Sequence, residues 1–178
     1  MNNQEIVKLC QDIYKEHKTA LDLIFENRPD RLQNVTEVFK AWCRKKDKEG
    51  IIIFDEDKSS KSYIRFRTPF MEEYIMKSNG ISGWNTKNHY YYELASYCDK
   101  NDNVKYAFQL SFSSINLEKE NKEQLERIIR YFHPTKALKE NWQWKTVFKS
   151  ATATVKSDEI LPEESEDENF IFSSLDKM

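Results

Sequence analysis

Ten residues in the middle of the chain read Val104-Lys105-Tyr106-Ala107-Phe108-Gln109-Leu110-Ser111-Phe112-Ser113. Every second side chain is apolar, which is the period of a β-strand with one buried face. An aromatic-rich run over residues 90–97 precedes this stretch, and the polar residues 99–103 separate the two runs. The pattern predicts a β-hairpin.

A second hairpin is predicted upstream of the first. Residues 51–54 and 62–67 are short strand-like runs on either side of a polar stretch over 55–61. Pro69 ends the second of these strands because proline cannot donate to a sheet ladder. A short helix over 70–79 and a glycine-containing loop over 79–88 then lead to the first hairpin.

Helical spacing of apolar residues lies outside both hairpins. Residues 4–26 carry one apolar stripe that predicts a long helix with His17 packed on it, and Asp30 caps a second helix that ends at Gly50. A further helix over 117–132 precedes a last strand over 142–148. The order predicts an α+β fold with two N-terminal helices and a mainly antiparallel sheet of about five strands in hairpins, covered on one face by helices.

Composition restricts the class of protein. The chain has 178 residues, of which 33% are charged, and its mean hydropathy is -0.82, which excludes an integral membrane protein. The first residues lack an apolar secretory segment, so we expect a cytoplasmic protein. Cys10, Cys43 and Cys98 are far apart and lack metal-ligand spacing, which predicts reduced, mostly buried thiols, no bound metal and no cofactor.

Charge is segregated along the chain. Residues 157–178 hold eight acidic side chains and one base, whereas residues 1–156 hold 27 Lys and Arg against 22 Asp and Glu. Acidic runs of this kind are typical of disordered tails. We therefore expect a single α+β domain over 1–156 and a disordered acidic tail over 157–178, which competes with an anionic ligand for the basic domain. The alternative is that the tail, through Asn169-Phe170-Ile171-Phe172, folds back on the basic domain or docks elsewhere.

Strict alternation along each strand predicts which side chains face outwards. Trp142, Trp144 and Phe148 are expected under the helices, and the alternate positions, with Glu93 and Gln109 among them, are expected on the open side. With the preceding loop, these positions give the predicted binding residues Tyr63, Arg65, Arg67, Trp84, Lys87, Tyr91, Lys105, Lys145 and Lys149. Cations beside stacking tyrosines are typical of nucleic-acid binding. A solvated sheet face also collects Lys and Arg without any ligand.

One motif imitates a catalytic signature. Pro29-Asp30 followed by Glu56-Asp57-Lys58 has the form of the PD-(D/E)xK nuclease motif, in which clustered carboxylates hold Mg²⁺. That chemistry needs acids on adjacent strands, whereas Asp30 precedes a helix and Glu56 lies in or beside a hairpin loop. The residues 80–83, Gly-Ile-Ser-Gly, are interpreted as a turn rather than a phosphate-binding loop.

Three segments carry a resemblance to a known family. They are residues 82–93, with a Trp-Asn-Thr loop and a Tyr-rich strand, residues 108–111, and residues 141–145 with a Trp-x-Trp strand. Over residues 30 to 155 the chain resembles the C-terminal accessory module of bacterial PD-(D/E)xK nuclease superfamily proteins, in which a nuclease domain comes first. That domain has no counterpart here, so no catalytic residue carries over. The resemblance implies an accessory module linked to phage defence or a mobile element, not cleavage.

Three functions stay open at this point. The first is a non-catalytic recognition module, bacterial or phage-encoded and associated with defence or counter-defence, that binds nucleic acid through its basic aromatic sheet face. The alternative is a protein-protein interaction module or inhibitor that docks on a larger nuclease or defence complex through Tyr63, Trp84 and Tyr91. The third, least favoured, is a metal-dependent nuclease using Glu56 and Lys58. The sequence pattern does not define the oligomeric state.

Overall fold

A computed structural model describes residues 2–27, 30–75, 77–132, 134, 138–157 and 175. The chain divides into two compact units, Met1–Asp30 and Arg31–Met178. The sequence pattern predicts one domain over residues 1–156 and does not indicate a boundary after Asp30. Among the described residues, no helix combines the length and apolarity that crossing a bilayer requires.

The first unit consists of two short helices, α1 (Asn3–Glu16) and α2 (Lys18–Glu26). Asn2 begins α1 with a capping box, in which its side chain and that of Glu5 each accept the other residue's backbone N–H. His17 separates the helices with φ -114° and ψ 22°, so the predicted helix over 4–26 is interrupted there. His17 is exposed, and the prediction that it packs on the apolar stripe is therefore wrong.

The second unit contains helices α3 to α5 and strands β1 to β6. In chain order they are α3 (Arg31–Lys48), β1 (Ile53–Phe54), a 3₁₀ helix (Glu56–Lys58), β2 (Tyr63–Arg67), α4 (Pro69–Tyr74), β3 (Tyr90–Cys98), β4 (Val104–Ser113), α5 (Lys119–Phe132), β5 (Trp144–Lys149) and β6 (Ala153–Val155). Thr68 begins α4 by accepting the backbone N–H of Met71, and Pro69 takes the first helical turn, where no N–H is needed.

The described strands form one antiparallel sheet. Their order is β1-β2-β3-β4-β5, with β6 pairing to the opposite end of β4 from β5. Both predicted hairpins are confirmed, and β4 has the predicted bounds. The α+β class with a mainly antiparallel sheet is also confirmed. Strand β6 was not predicted, because three residues are too few to establish a period.

Helices cover one face of the sheet, as predicted. Helix α3 packs Phe39 against Tyr106 of β4, with 5.0 Å between ring centroids. Helix α5 buries Leu125 and Ile129 in a neighbouring cluster with Phe112 of β4. Tyr106 and Phe112 are an even number of residues apart on one strand, so both clusters lie on the same face. The opposite face, which we call the open face, carries Tyr63, Arg65, Arg67, Tyr91, Glu93, Lys105, Gln109 and Ser111.

A β-bulge changes the faces of β5. Leu110 pairs with Phe148, but the next residue, Ser111, pairs with Thr146, so Val147 is the extra residue. Beyond the bulge, Thr146 and Trp144 share the open face with Ser111 and Ser113. The prediction that Trp144 packs under the helices is therefore wrong, and so is burial of Phe148, which is 50% exposed. Trp142 and Val147 are the buried side chains of this region.

The far end of the chain contributes to the core of the second unit. Leu175 is 2% exposed and belongs to the cluster under α3, together with Val104 and Val155. Ser157 is held at the other end of the acidic stretch, where its N–H donates to Asn103 Oδ1 at 3.0 Å. Apart from these two residues, the predicted disordered tail lies outside the described residues.

Candidate functional site on the open face

An open groove of about 550 Å³ lies on the open face of the sheet. Its floor comes from Arg65 of β2, Glu93 of β3 and Gln109 of β4. Its remaining lining comes from Tyr63, the loop residues Gly83, Trp84 and Asn85, Ser111 of β4, and Trp144, Lys145 and Thr146 of β5. The groove therefore spans four adjacent strands and is bounded by one loop.

Aromatic rings form one wall of the groove. The Trp84 ring contacts Trp144 at 4.6 Å and Tyr91 at 5.1 Å between centroids, both nearly perpendicular. Trp144 stays 47% exposed, whereas Tyr91 is fully buried beneath Trp84. The prediction that Tyr91 is available for stacking is therefore wrong, and Trp144 is the exposed ring of this wall.

The loop over residues 79–88, which we call the Trp84 loop, is built to approach β5 closely. Ser82 N–H donates to Thr86 O at 2.7 Å, and Asn85 turns the chain with a positive φ of 58°. A Cβ on Gly83 would lie 2.2 Å from the Trp144 ring. Any larger residue at position 83 would have to displace the indole, and the interpretation of residues 80–83 as a turn agrees with this local structure.

Glu118 holds the start of the Trp84 loop. Its carboxylate accepts the Ser78 hydroxyl at 2.7 Å and the Asn79 N–H at 3.0 Å. These bonds, that from Ser78 first, lower the pKa of Glu118 to about 2. The carboxylate thus stays ionised and the loop anchor intact through ordinary pH.

A nearly buried carboxylate organises the groove floor. Glu93 accepts from Arg65 Nε at one oxygen and from Gln109 Nε2 at the other, each at 2.8 Å. The side chains of Arg65 and Glu93 are 18% and 6% exposed. Arg65 Nη1 also donates to the carbonyl oxygen of Lys58, and the guanidinium lies 5.3 Å from the centroid of the Tyr63 ring. The floor is therefore polar, fixed and electrically balanced.

Arg67 is placed differently from the prediction. Its guanidinium is 10% exposed, donates to Asp55 at 2.6 and 3.2 Å and pairs with Glu72 at 2.8 Å. Burial acts to lower the pKa of Arg67, but the bonds to Asp55 and Glu72 outweigh it and raise the pKa above its ordinary value. Tyr90 donates to the same Glu72 at 3.0 Å. Arg67 thus joins strands and helix α4 and offers no charge to the groove.

The predicted lysines are distributed around the open face. Lys105 donates to Thr154 Oγ1 at 2.8 Å and lies 3.7 Å from Asp99. Lys145 lines the groove although its register pairs it with Phe112, and Lys149 is exposed opposite Gln109. Lys87 is exposed on the Trp84 loop. Tyr63, Arg65, Trp84 and Lys145 are therefore the predicted residues that the structure brings together in the groove.

The residues of the nuclease-like motif do not form a metal centre. Glu56 lies in the 3₁₀ helix, and its carboxylate is bound by the guanidinium of Arg44, which lowers the pKa of Glu56. Among the described residues, no group of three or more His, Cys, Asp or Glu is placed to hold a metal ion. The three cysteines are in no disulfide, and Cys10 and Cys98 are exposed, so the prediction that the cysteines are mostly buried is wrong. Burial raises the pKa of Cys43 to about 12.

Sequence reasoning missed Trp144 and Thr146 as groove residues, and it took Gly83 only as part of a turn. The bulge in β5 moves the first two to the open face, and a bulge leaves no fixed mark in a single sequence. The need for glycine at position 83 depends on a ring that is distant in the chain. The Trp-x-Trp spacing did single out this strand, but strict alternation assigned it to the wrong face.

Comparison with known proteins found no matching family model, no matching curated protein and no matching solved structure. The resemblance to an accessory module of PD-(D/E)xK nucleases therefore stays a prediction.

Proposed function

We propose that this protein is a recognition module that binds single-stranded nucleic acid in the groove of the open face. The observation that carries the proposal is the exposed indole of Trp144, braced by Trp84 at the side of a polar groove. Such a ring offers a surface on which an unpaired base stacks. Bases in a duplex are already stacked on one another, so the groove favours single strands.

The charges near the groove fit a phosphate backbone at its rim. Arg65 is neutralised by Glu93 on the floor, whereas Lys149 is exposed opposite Gln109 and Lys145 lines the groove. Lys87 is exposed on the Trp84 loop. Phosphate contacts by lysine add affinity that falls with salt and carries no sequence information. A protein that binds single strands is expected to stack bases inside such a groove and to contact the phosphate backbone of the nucleic acid outside it.

A matched pair of variants tests this proposal. Trp144 and Phe148 lie on the same strand with 47% and 50% exposure, but their register places them on opposite faces. Trp144→Ala is expected to weaken binding of labelled single-stranded DNA or RNA by about 5- to 150-fold in fluorescence anisotropy, the range for one lost stacking contact. Phe148→Ala is expected to bind like the wild type.

Salt dependence supplies an independent readout. Lys149→Ala is expected to lower the slope of log affinity against log salt by about 0.7, the value for one phosphate contact with a single strand. The proposal fails if the wild-type protein binds no single-stranded DNA or RNA at low salt. It also fails if Trp144→Ala and Phe148→Ala have equal effects.

Docking of a protein segment is the second candidate function. It is favoured by the neutral floor, where Arg65 is paired with Glu93. A second predicted cation, Arg67, is paired with Asp55 and Glu72 and does not line the groove. Exposed Trp and Tyr side chains, here Trp144 and Tyr63, are common in protein-protein hot spots. Selection of displayed peptides on the wild-type protein, with counter-selection on Trp144→Ala, tests this function. Sequences that bind both proteins equally would argue against it.

A further inference from the structure

Three side chains on the groove floor form a row across three neighbouring strands. Arg65 of β2 pairs in register with Glu93 of β3, which pairs in register with Gln109 of β4. Arg65 and Gln109 donate to different oxygens of Glu93. An ionised carboxylate only accepts hydrogen bonds, so the amide nitrogen of Gln109 must face Glu93 and its oxygen must face away.

The groups that this row leaves for a ligand are ordered as well. Within the described residues, the Gln109 side chain makes only the bond to Glu93, so its Oε1 and its second N–H remain. Arg65 uses Nε on Glu93 and Nη1 on the Lys58 carbonyl oxygen, which leaves other guanidinium N–H groups. From β4 towards β2, the groups left for a ligand are therefore the Gln109 oxygen as acceptor, the second Gln109 N–H as donor and an Arg65 N–H as donor.

We infer that Gln109 and Arg65 read the Watson–Crick edge of cytosine, an inference that rests on the proposed single-strand binding. Cytosine presents a donor, an acceptor and an acceptor in turn, at N4, N3 and O2, which complements the row at every position. Uracil presents an acceptor, a donor and an acceptor, so it opposes Gln109 with like groups at two positions. Unpaired bases are commonly recognised on this edge.

Other bases fit the row less well. Guanine presents an acceptor and two donors, which repeats the order of the protein groups and opposes donor with donor. Adenine offers a donor and an acceptor but has no third acceptor for Arg65. Gln109 is thus the residue that separates cytosine from uracil, and Glu93 positions it without meeting the base, since the Glu93 side chain is 6% exposed.

The test compares short oligonucleotides of deoxycytidine and deoxyuridine, whose rings are equal in size and differ at this edge. Mildly alkaline buffer keeps cytosine unprotonated and prevents its self-pairing. The wild-type protein is expected to bind the deoxycytidine oligomer about 5- to 150-fold more tightly, the range for one well-formed set of base contacts. Affinities are measured by fluorescence anisotropy on the full chain.

Gln109→Met keeps the length and net charge of the side chain but removes the amide. It is expected to bring the affinity ratio of the two oligomers close to one while both still bind. Gln143→Met is the matched control, because Gln143 is exposed and does not line the groove, and it should keep the wild-type ratio.

The outcomes separate the inference from the proposed function. Binding of both oligomers with a ratio near one in the wild type overturns the inference and leaves single-strand binding intact. A cytosine preference that survives Gln109→Met also overturns it. If neither oligomer binds at low salt, the proposed function fails and the inference fails with it.

Discussion

Arg65 and Arg67 are two residues apart on β2, so both side chains leave the strand on the open face of the sheet. Arg65 pairs with Glu93 on the floor of the open groove, whereas Arg67 is enclosed by Asp55 and Glu72. Their exposures therefore depend on acids from other elements, which strand alternation does not reveal. At the scale of single residues, a cation on a sheet face becomes a ligand contact or a structural tie according to its neighbours.

Replacing Arg67 is expected to destabilise the protein. Arg67→Met leaves Asp55 and Glu72 without their main partner in a partly buried site, which costs about 2 to 4 kcal/mol of unfolding free energy. Lys77→Ala is the control, because Lys77 pairs with the same Glu72 at 3.1 Å but is 61% exposed. That change is expected to cost less than about 1 kcal/mol. Urea unfolding of both variants checks the difference.

The ion pair between Arg67 and Glu72 predicts that the free energy of unfolding depends on pH. Burial acts to raise the pKa of Glu72, but bonds from Arg67 and Lys77 outweigh it and hold the pKa below the ordinary value of 4.5. Stability from this group is therefore fully present above pH 4.5 and is lost as pH falls through the lowered value. Arg67→Met should reduce this loss of unfolding free energy at acid pH, measured by urea unfolding at a series of pH values. The same loss of unfolding free energy at acid pH in Arg67→Met and in the wild type would contradict the role given to Arg67.

Elements differ in how far their sequence determines them. Strand β4 and helix α5 follow from long, regular apolar periods, and both are found where the pattern places them. Strand β5 was expected at nearly the right residues but on the wrong face, because Val147 breaks the alternation. Helix α1 ends at Glu16 although the apolar stripe continues, since the period describes a face and not the continuity of the backbone.

Replacement by alanine is expected to have different effects at the two glycines of the Trp84 loop, Gly80 and Gly83. A Cβ on Gly80 would lie 2.0 Å from the backbone oxygen of Asn116, whereas one on Gly83 would meet the Trp144 ring and the end of Ile115. Gly80→Ala is expected to lower the unfolding free energy by about 1 to 3 kcal/mol, because the backbone must move. Gly83→Ala is expected to displace an exposed ring and to destabilise less.

Two measurements separate these variants. Urea unfolding should show the larger loss for Gly80→Ala. Tryptophan fluorescence of the folded protein should change more for Gly83→Ala, because its Cβ displaces the Trp144 ring from Trp84. Equal unfolding free energies combined with unchanged fluorescence in Gly83→Ala would contradict the close approach of loop and strand.

At the scale of the whole molecule, the second unit closes its core with a residue far along the chain. Leu175 lies in the cluster under α3 beside Val155 and Val104, although an acidic stretch separates it from the sheet in sequence. The acidic composition of that stretch predicts a solvated tail, although it also contains the apolar run Phe170-Ile171-Phe172 shortly before Leu175. The burial of Leu175 thus depends on tertiary contacts that sequence reasoning did not detect.

Removal of the Leu175 side chain is expected to destabilise the fold. Leu175→Ala should lower the unfolding free energy by about 2 to 5 kcal/mol, the range for buried leucines. Ile51→Ala, at a position 54% exposed in the same unit, should cost about 1 kcal/mol or less. Equal losses in urea unfolding would contradict the burial of Leu175. A chain ending at Lys156 should unfold at lower urea for the same reason.

The site was predicted in part. The sequence identified the open face and four groove residues, Tyr63, Arg65, Trp84 and Lys145, because alternation and aromatic content are local properties. It did not identify Trp144, whose place depends on the bulge, or the balance of charge on the floor, which depends on register between strands. Tyr91 and Arg67 were placed on the correct face, but the loop and the acids that enclose them come from elsewhere in the chain.

The bulge at Val147 gives β5 one residue more than the matching part of β4. Deletion of Val147 would remove this extra residue and leave Thr146 opposite Ser111 and Trp144 opposite Ser113, so Trp144 would stay on the open face. The bulge can thus absorb the loss of one residue from β5. The strand would change from a bulged to a regular one, and the aromatic wall of the groove would keep its place.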